Sequence, residues 1–205
     1  GKGGRERIVP LSEPAVAAID EYLPHRRVFA AAGGESPWMF PSRGAGGHLG
    51  RSRFSVMLKE LAARAGIDPA AVDLVVFTHL HPDHVGWNLT NGRPNFPNAR
   101  FLVPQKDWDF WTDPANINTV EYVVPQVLPL QEHGVMDLFD GEHEITPELT
   151  TYATPGHTPG HTSIRVTSNG EHAFVLGDVA HSPIQAHHTD WCPGFDITPD
   201  MARST

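Results

Sequence analysis

The chain has 205 residues, 40% hydrophobic and 19% charged, with a formal net charge of −9 and one cysteine. That length suffices for one sizeable domain, or for one small and one medium unit. The acidic balance argues against general nucleic-acid affinity, and Cys192 alone builds no disulfide framework. No apolar run approaches the roughly 18 to 20 residues of a bilayer span and nothing resembles a signal peptide, so a soluble, cytoplasmic protein without membrane association is expected. The charge is unevenly spread. Up to Ile67 there are ten Lys/Arg and six Asp/Glu, a net of +4; from Asp68 on there are five and eighteen, a net of −13. So sharp a change predicts two segments, 1–67 and 68–205, with separate histories.

The Gly-Lys-Gly-Gly tip and the stretch Arg5 to Leu11 predict half of a basic β-hairpin over Lys2 to Ser12. Ser12 offers an N-cap and Pro14 suits a first helical turn, which predicts a helix with Val16, Ile19 and Leu23 on one face and Pro24 at its end. Residues 32–50, rich in Gly, Pro and Ser, read as loop, with Trp38, Met39 and Phe40 as an apolar anchor. A second amphipathic helix is predicted from about Ser52 to Ala65, carrying Phe54, Met57, Leu58 and Leu61 at helical spacing and ending at Gly66. Leu74 to Phe77 is a continuous apolar run, the mark of a strand buried on both faces. Further strands are predicted at Phe101 to Val103, Thr150 to Ala153, Ser163 to Val166 and Ala173 to Leu176, with helices at Asp107 to Trp111 and Val120 to Val127.

The chemistry concentrates where the first of these strands stops. In His79-Leu80-His81-Pro82-Asp83-His84, alternation puts His79 and His81 on one side of an extended segment, where both imidazoles reach one ion. Asp83 and His84 follow a proline turn and point elsewhere, which suits a second ion. Nitrogen with carboxylate ligands favours zinc, with manganese, iron or cobalt as alternatives. Two later elements have the same form, an apolar strand whose carboxyl end carries a ligand type beside glycine: Thr154 to His161, and Phe174-Val175-Leu176-Gly177-Asp178. Trp87, Trp108, Phe110 and Trp111 are candidates to line an apolar pocket, although core packing is the commoner role for such residues.

These motifs resemble the metallo-β-lactamase superfamily, in particular its lactonase and organophosphate hydrolase branch, over about Asp68 to the end. The resemblance implies an α/β fold, here a partial αββα sandwich, and two divalent metal ions. It implies His79, His81 and His157 on the first ion, Asp83 and His84 on the second, and Asp178 bridging. His161 matches a supporting position outside the ligand set. Paired ions lower the pKa of a shared water toward about 7 and polarise a scissile oxygen, so no protein nucleophile is required; Asp83 and Asp178 are the candidate catalytic carboxylates.

The first 67 residues instead resemble a Xer-type tyrosine recombinase: Gly1 to Leu11, Ser36 to Arg43, and the helix ending Leu61 to Ile67, with Lys2 matching the hairpin lysine. The first catalytic arginine, the His-x-x-Arg pair and the tyrosine nucleophile have no counterpart, so the segment is expected to be a small, mostly helical, structural piece. Two further departures follow. Strands that normally precede the histidine cluster are absent, which leaves apolar sheet surface to cover and predicts a homodimer. The family's closing histidine has no match before Thr205, and His181, His187 and His188 read as loop residues rather than replacements. The expected activity is hydrolysis of a small-molecule ester, lactone or phosphoester. The alternatives are a metal-binding fusion product without turnover, and a weak DNA-binding module, which the acidic second segment disfavours.

Overall fold

A computed structural model of the chain describes residues 13–30 and 35–205, in two compact units, Gly1–Asp68 and Pro69–Thr205. The predicted hairpin, with Lys2 and the Ser12 cap, lies outside the described residues.

In the first unit, helix α1 spans Glu13–Tyr22 and runs into a 3-10 helix, Leu23–Phe29. Pro24 does not end the coiling as expected. It sits in the first turn of the 3-10 helix, where a missing N–H costs little. The loop that follows is tied by a single bridge between Pro41 and His48 and by Arg43 Nη2 donating to the Val28 carbonyl at 2.9 Å. Helix α2, Arg51–Arg64, ends as predicted at a left-handed Gly66, with the Ile67 N–H returning to the Ala62 carbonyl at 2.8 Å.

The second unit holds two larger sheets and a two-stranded one. Strands β1 (Leu74–Val76), β4 (Arg100–Pro104) and β5 (Met136–Phe139) form a parallel sheet in the order β1-β4-β5. Between β1 and β4 lie a helical turn α3 (Pro82–Val85) and a small hairpin, β2 (Leu89–Thr90) with β3 (Arg93–Pro94). Helices α4 (Gln105–Thr112), α5 (Val123–Gln126) and α6 (Leu128–Glu132) supply Trp111, Val123 and Leu130 to the core. Burial on both faces belongs to central β4, whose Phe101 and Val103 are fully enclosed; β1, at the sheet edge, is only half-buried until Phe77. The second sheet is antiparallel, β6 (Glu144–Thr146), β7 (Leu149–Ala153), β8 (Thr162–Ser168) and β9 (Glu171–Val175) in that order. A last helix, α7, spans Pro199–Ser204.

Trp111 and its neighbours Trp108 and Phe110 belong to the core or pack against it, whereas Trp87 is about half exposed. Strand β9 is exposed along its whole length although its second half, Ala173 to Val175, is apolar; among the described residues it pairs only with β8. No described helix is long and apolar enough to cross a membrane. The carboxyl ends of β1, β7 and β9 converge, and each delivers one of the segments singled out in the sequence.

Candidate metal centre

After β1 the chain bends at Thr78, is extended at His81, then closes into α3, where the His84 N–H bonds the His81 carbonyl at 3.0 Å. Pro82 heads this turn, and the turn brings His84 back over His79, with ring centroids 4.0 Å apart. From the end of β7, the Thr154 to His161 loop carries His157 inward until its Nε2 lies 2.8 Å from His81 Nδ1. From β9, Gly177 adopts φ +62, and a Cβ there would stand 2.7 Å from His161 Nε2 and 3.0 Å from Thr78 Cβ. Only glycine lets this strand end pass so close, and Asp178 follows directly into the cluster.

The donor atoms fall into three overlapping groups: His79, His81 and His157; His79, His84 and Asp178; His157, Asp178 and His181, each with donors within 4.8 Å of one another. Asp178 links them. Its Oδ1 lies 3.4 Å from His84 Nε2, while its Oδ2 lies 3.5 Å from His157 Nε2, 3.2 Å from His181 Nε2 and 3.9 Å from His79 Nε2. Bonds of about 2.0 to 2.1 Å at a tetrahedral ion put neighbouring donors about 3.3 Å apart, so most of these spacings are those of ligands sharing an ion. The carboxylate presents a different oxygen to each side.

The supporting contacts decide which nitrogens are free. His157 Nδ1 donates to Asp196 Oδ1 at 2.8 Å, both side chains 3% exposed, which directs the Nε2 lone pair at the cluster. His79 Nδ1 is within 3.1 Å of Thr78 Oγ1, and its Nε2 is buried without a hydrogen-bond partner among the described residues. An orphaned imidazole nitrogen at the meeting point of two ligand groups is what a metal would satisfy. His161 has no free nitrogen: Nε2 accepts the Asp178 N–H at 2.9 Å and Nδ1 donates to the Thr154 carbonyl at 3.0 Å, so it fixes Asp178 from behind. Asp83 stands apart. Its side chain is 77% exposed, its Oδ2 is 3.9 Å from His84 Nε2, and it belongs to none of the three groups.

Proton affinities follow from these surroundings. Burial, then the neighbouring imidazoles, holds His79 far below the usual histidine range. Burial and His157 bring His81 down to about 4, and burial brings His161 to about 4. Hydrogen bonds from His181 and His84 hold Asp178 as a carboxylate well below its ordinary range, and the same carboxylate raises His84. Buried His79 and His81, held neutral beside a fixed carboxylate, are ligands ready for a cation.

Two residues unmarked by the sequence reading complete the frame. Asp196 is the first. The second is Asp107, fully buried at the start of α4, whose Oδ2 accepts the Leu80 N–H at 2.8 Å and whose Oδ1 accepts the Gly160 N–H at 2.6 Å. One carboxylate thereby ties the loop bearing His79 and His81 to the loop bearing His157. Gly160 is required there, because a Cβ would lie 2.3 Å from the Asp107 nitrogen. Of the downstream histidines, His181 reaches the cluster; His188 stacks on Trp191 at 4.4 Å, and neither it nor His187 joins a ligand group.

Known proteins give this geometry its context. Residues 1–84 match the phage integrase family, and residues 45–202 match the metallo-beta-lactamase superfamily. The tyrosine recombinase XerD of Rhizobium meliloti (strain 1021) is 45% identical over 92 residues, which is 45% of this chain and 28% of that protein. The crystal structure of the hydrolase AbOPH, in the beta-lactamase superfamily, superposes with a TM-score of 0.64 at 30% identity over 71% of this chain and 54% of that one. AidC, a dizinc quorum-quenching lactonase, shares the fold with a TM-score of 0.60 at 24% identity, over 71% of this chain and 54% of its own. The chain thus spans about half of these hydrolases and little more than a quarter of the recombinase. It is a chimera, a partial metallo-β-lactamase fold behind a Xer-type recombinase fragment, and with residues 45–202 matched it belongs to the metallo-beta-lactamase superfamily.

Proposed function

We propose that the protein is a dinuclear, zinc-dependent hydrolase of an ester-like bond in a small lactone or phosphoester. The observation that carries the reading is the buried, unpartnered Nε2 of His79 between two groups of ligand-type donors that share Asp178. In this reading His79, His81 and His157 would hold one ion and His84 with Asp178 a second, Asp178 lying between the two groups. Divalent ions held there supply Lewis acidity, which lowers the pKa of water and polarises the scissile oxygen. His161 and Asp196 fix Asp178 and His157 in position. Asp83, open to solvent beside His84, accepts the proton of the attacking water. Titration in this setting keeps Asp178 anionic throughout the neutral range, since its proton affinity is strongly depressed. Residues 1–67 serve as structure in this reading, without strand-cleavage chemistry.

Metal analysis of the purified chain, combined with a panel of lactone, phosphodiester, phosphotriester and β-lactam substrates, tests the proposal. Hydrolysis that is lost with chelator, restored with zinc and absent in His79→Ala is expected. Bound zinc with no turnover on any substrate would favour a metal-binding product without catalysis, and hydrolysis unaffected by chelation would remove the reading. Self-association belongs to the same proposal: Phe174, Val175 and Leu176, each about half exposed along and just after β9, form an apolar edge suited to a second copy. Light scattering that shows a monomer at micromolar concentration would defeat it.

A further inference from the structure

The sequence sets His181 beside His187 and His188 as loop residues, but the fold treats the three differently. The turn at Gly177–Val179, followed by an extended Ala180, folds the chain so that residues 178 and 181 face one another. His181 Nε2 lies 3.2 Å from Asp178 Oδ2 and groups with His157 as well, whereas His84 faces the other carboxylate oxygen. Its main chain is held: the His181 N–H donates to Gln185 Oε1 at 2.7 Å, and the same amide oxygen accepts the Ser182 N–H at 3.1 Å. Gln185 is in turn fixed by donating to the Trp191 carbonyl at 3.0 Å. Phe195 packs edge-on against both His181 and His157, at 4.9 and 5.7 Å between ring centroids. An ordinary ion pair with Asp178 requires none of this; it needs neither the His157 nitrogen close by nor a braced backbone.

We infer that His181 is a metal ligand, completing with His157 and Asp178 an alternative position for an ion on the open side of the centre, since the single free nitrogen of His157 serves one ion at a time. The 3.2 and 3.5 Å separations of the two imidazole nitrogens from Asp178 Oδ2 match the spacing of about 3.3 Å between donors on one tetrahedral ion. The inference rests on the metallohydrolase reading above, yet it concerns one residue that the reading does not use. It makes the centre richer in imidazole on the His157 side, and it assigns to a surface loop the job of holding an ion that the buried strand ends only partly enclose.

The test uses the full chain loaded with zinc and, separately, with cobalt(II). Zinc content and affinity are measured by elemental analysis and chelator competition for wild type, His181→Ala and His187→Ala. Removal of a direct ligand is expected to weaken one zinc site by more than about 100-fold, beyond the range seen when only a supporting contact is lost. His187→Ala is expected to match wild type. A positive signature comes from His181→Cys, which in the cobalt form gains a cobalt–thiolate charge-transfer band in the near ultraviolet that wild type, carrying only Cys192, lacks. His181→Ala with wild-type zinc content and affinity, or His181→Cys without the band, overturns the inference and leaves the metallohydrolase reading standing. Wild type that takes up no zinc at all overturns both.

Discussion

Asp107 is the residue on which both ligand loops depend, and its removal has a calculable cost. Two buried N–H groups, of Leu80 and Gly160, end on its carboxylate at 2.8 and 2.6 Å. Hydrogen bonds to a charged acceptor contribute about 1.5 to 3 kcal/mol each, and both donors belong to buried residues. Against this stands the burden of enclosing the charge, visible in a carboxyl whose pKa burial pushes up despite those bonds. The balance for Asp107→Ala is a loss of about 2 to 4 kcal/mol, a large share of the roughly 5 to 15 kcal/mol that holds a domain together. Asp107→Asn keeps one acceptor and loses less. The assay is urea unfolding of the chelator-treated protein followed by tryptophan fluorescence, which reports mainly on residues 69–205 because Trp87, Trp108, Trp111 and Trp191 all lie there. Zinc affinity of the same variant is expected to fall, since the His79 and His157 loops are no longer clamped. An Asp107→Ala protein that unfolds within about 0.5 kcal/mol of wild type would refute the clamp.

Asp196→Ala leaves His157 Nδ1 without its acceptor, so zinc affinity is expected to drop about 10- to 100-fold in chelator competition while far-UV circular dichroism is unchanged. Gly177→Ala combines a left-handed φ with a Cβ placed 2.7 Å from His161 Nε2, and a clear fall in melting temperature is expected. The metal-free protein is expected to lose stability as pH falls. His161 titrates near 4 when folded and near 6.5 when unfolded, so between those values the unfolded chain binds the extra proton; its contribution is full above about 6.5 and lost toward 4. At about 1.36 kcal/mol per unit, the span from about 6.5 down to pH 5 amounts to about 2 kcal/mol from His161, read from urea midpoints between about pH 7.5 and 5. A midpoint independent of pH in that window would show that His161 is not buried neutral.

The strands that the sequence announces are those whose signal is local. Phe101 to Val103 reads as a buried strand and lies at the centre of the parallel sheet, enclosed on both faces. Ala173 to Leu176 carries the same kind of run and also forms a strand, yet Phe174 and Val175 are about half exposed. An apolar run states a preference for extended structure; whether anything covers it depends on neighbours that the run does not encode. Strand β5 shows the converse. Met136-Asp137-Leu138-Phe139 carries a charge inside it and gives no strand signal, but parallel pairing with β4 holds it, with the Arg100 guanidinium on Asp137.

The centre divides along the same line. His79 to His84 is legible because six consecutive residues carry four donor side chains, and Asp178 because a glycine precedes it at a strand end. His181 differs from its neighbours only through a turn that folds it onto Asp178, and Asp196 reaches His157 across 39 positions. Asp107 is harder still, since it reads as an acidic residue in the first turn of a helix, where such residues are common. Its partners are backbone N–H groups, which every residue type offers, so no choice of side chain at Leu80 marks the contact. Ligands can be read from side-chain type because the metal selects type. The groups that aim them are chosen by position alone, and they become visible only when the two loops, separated in sequence by strands β4 to β7, are seen to end on one carboxylate.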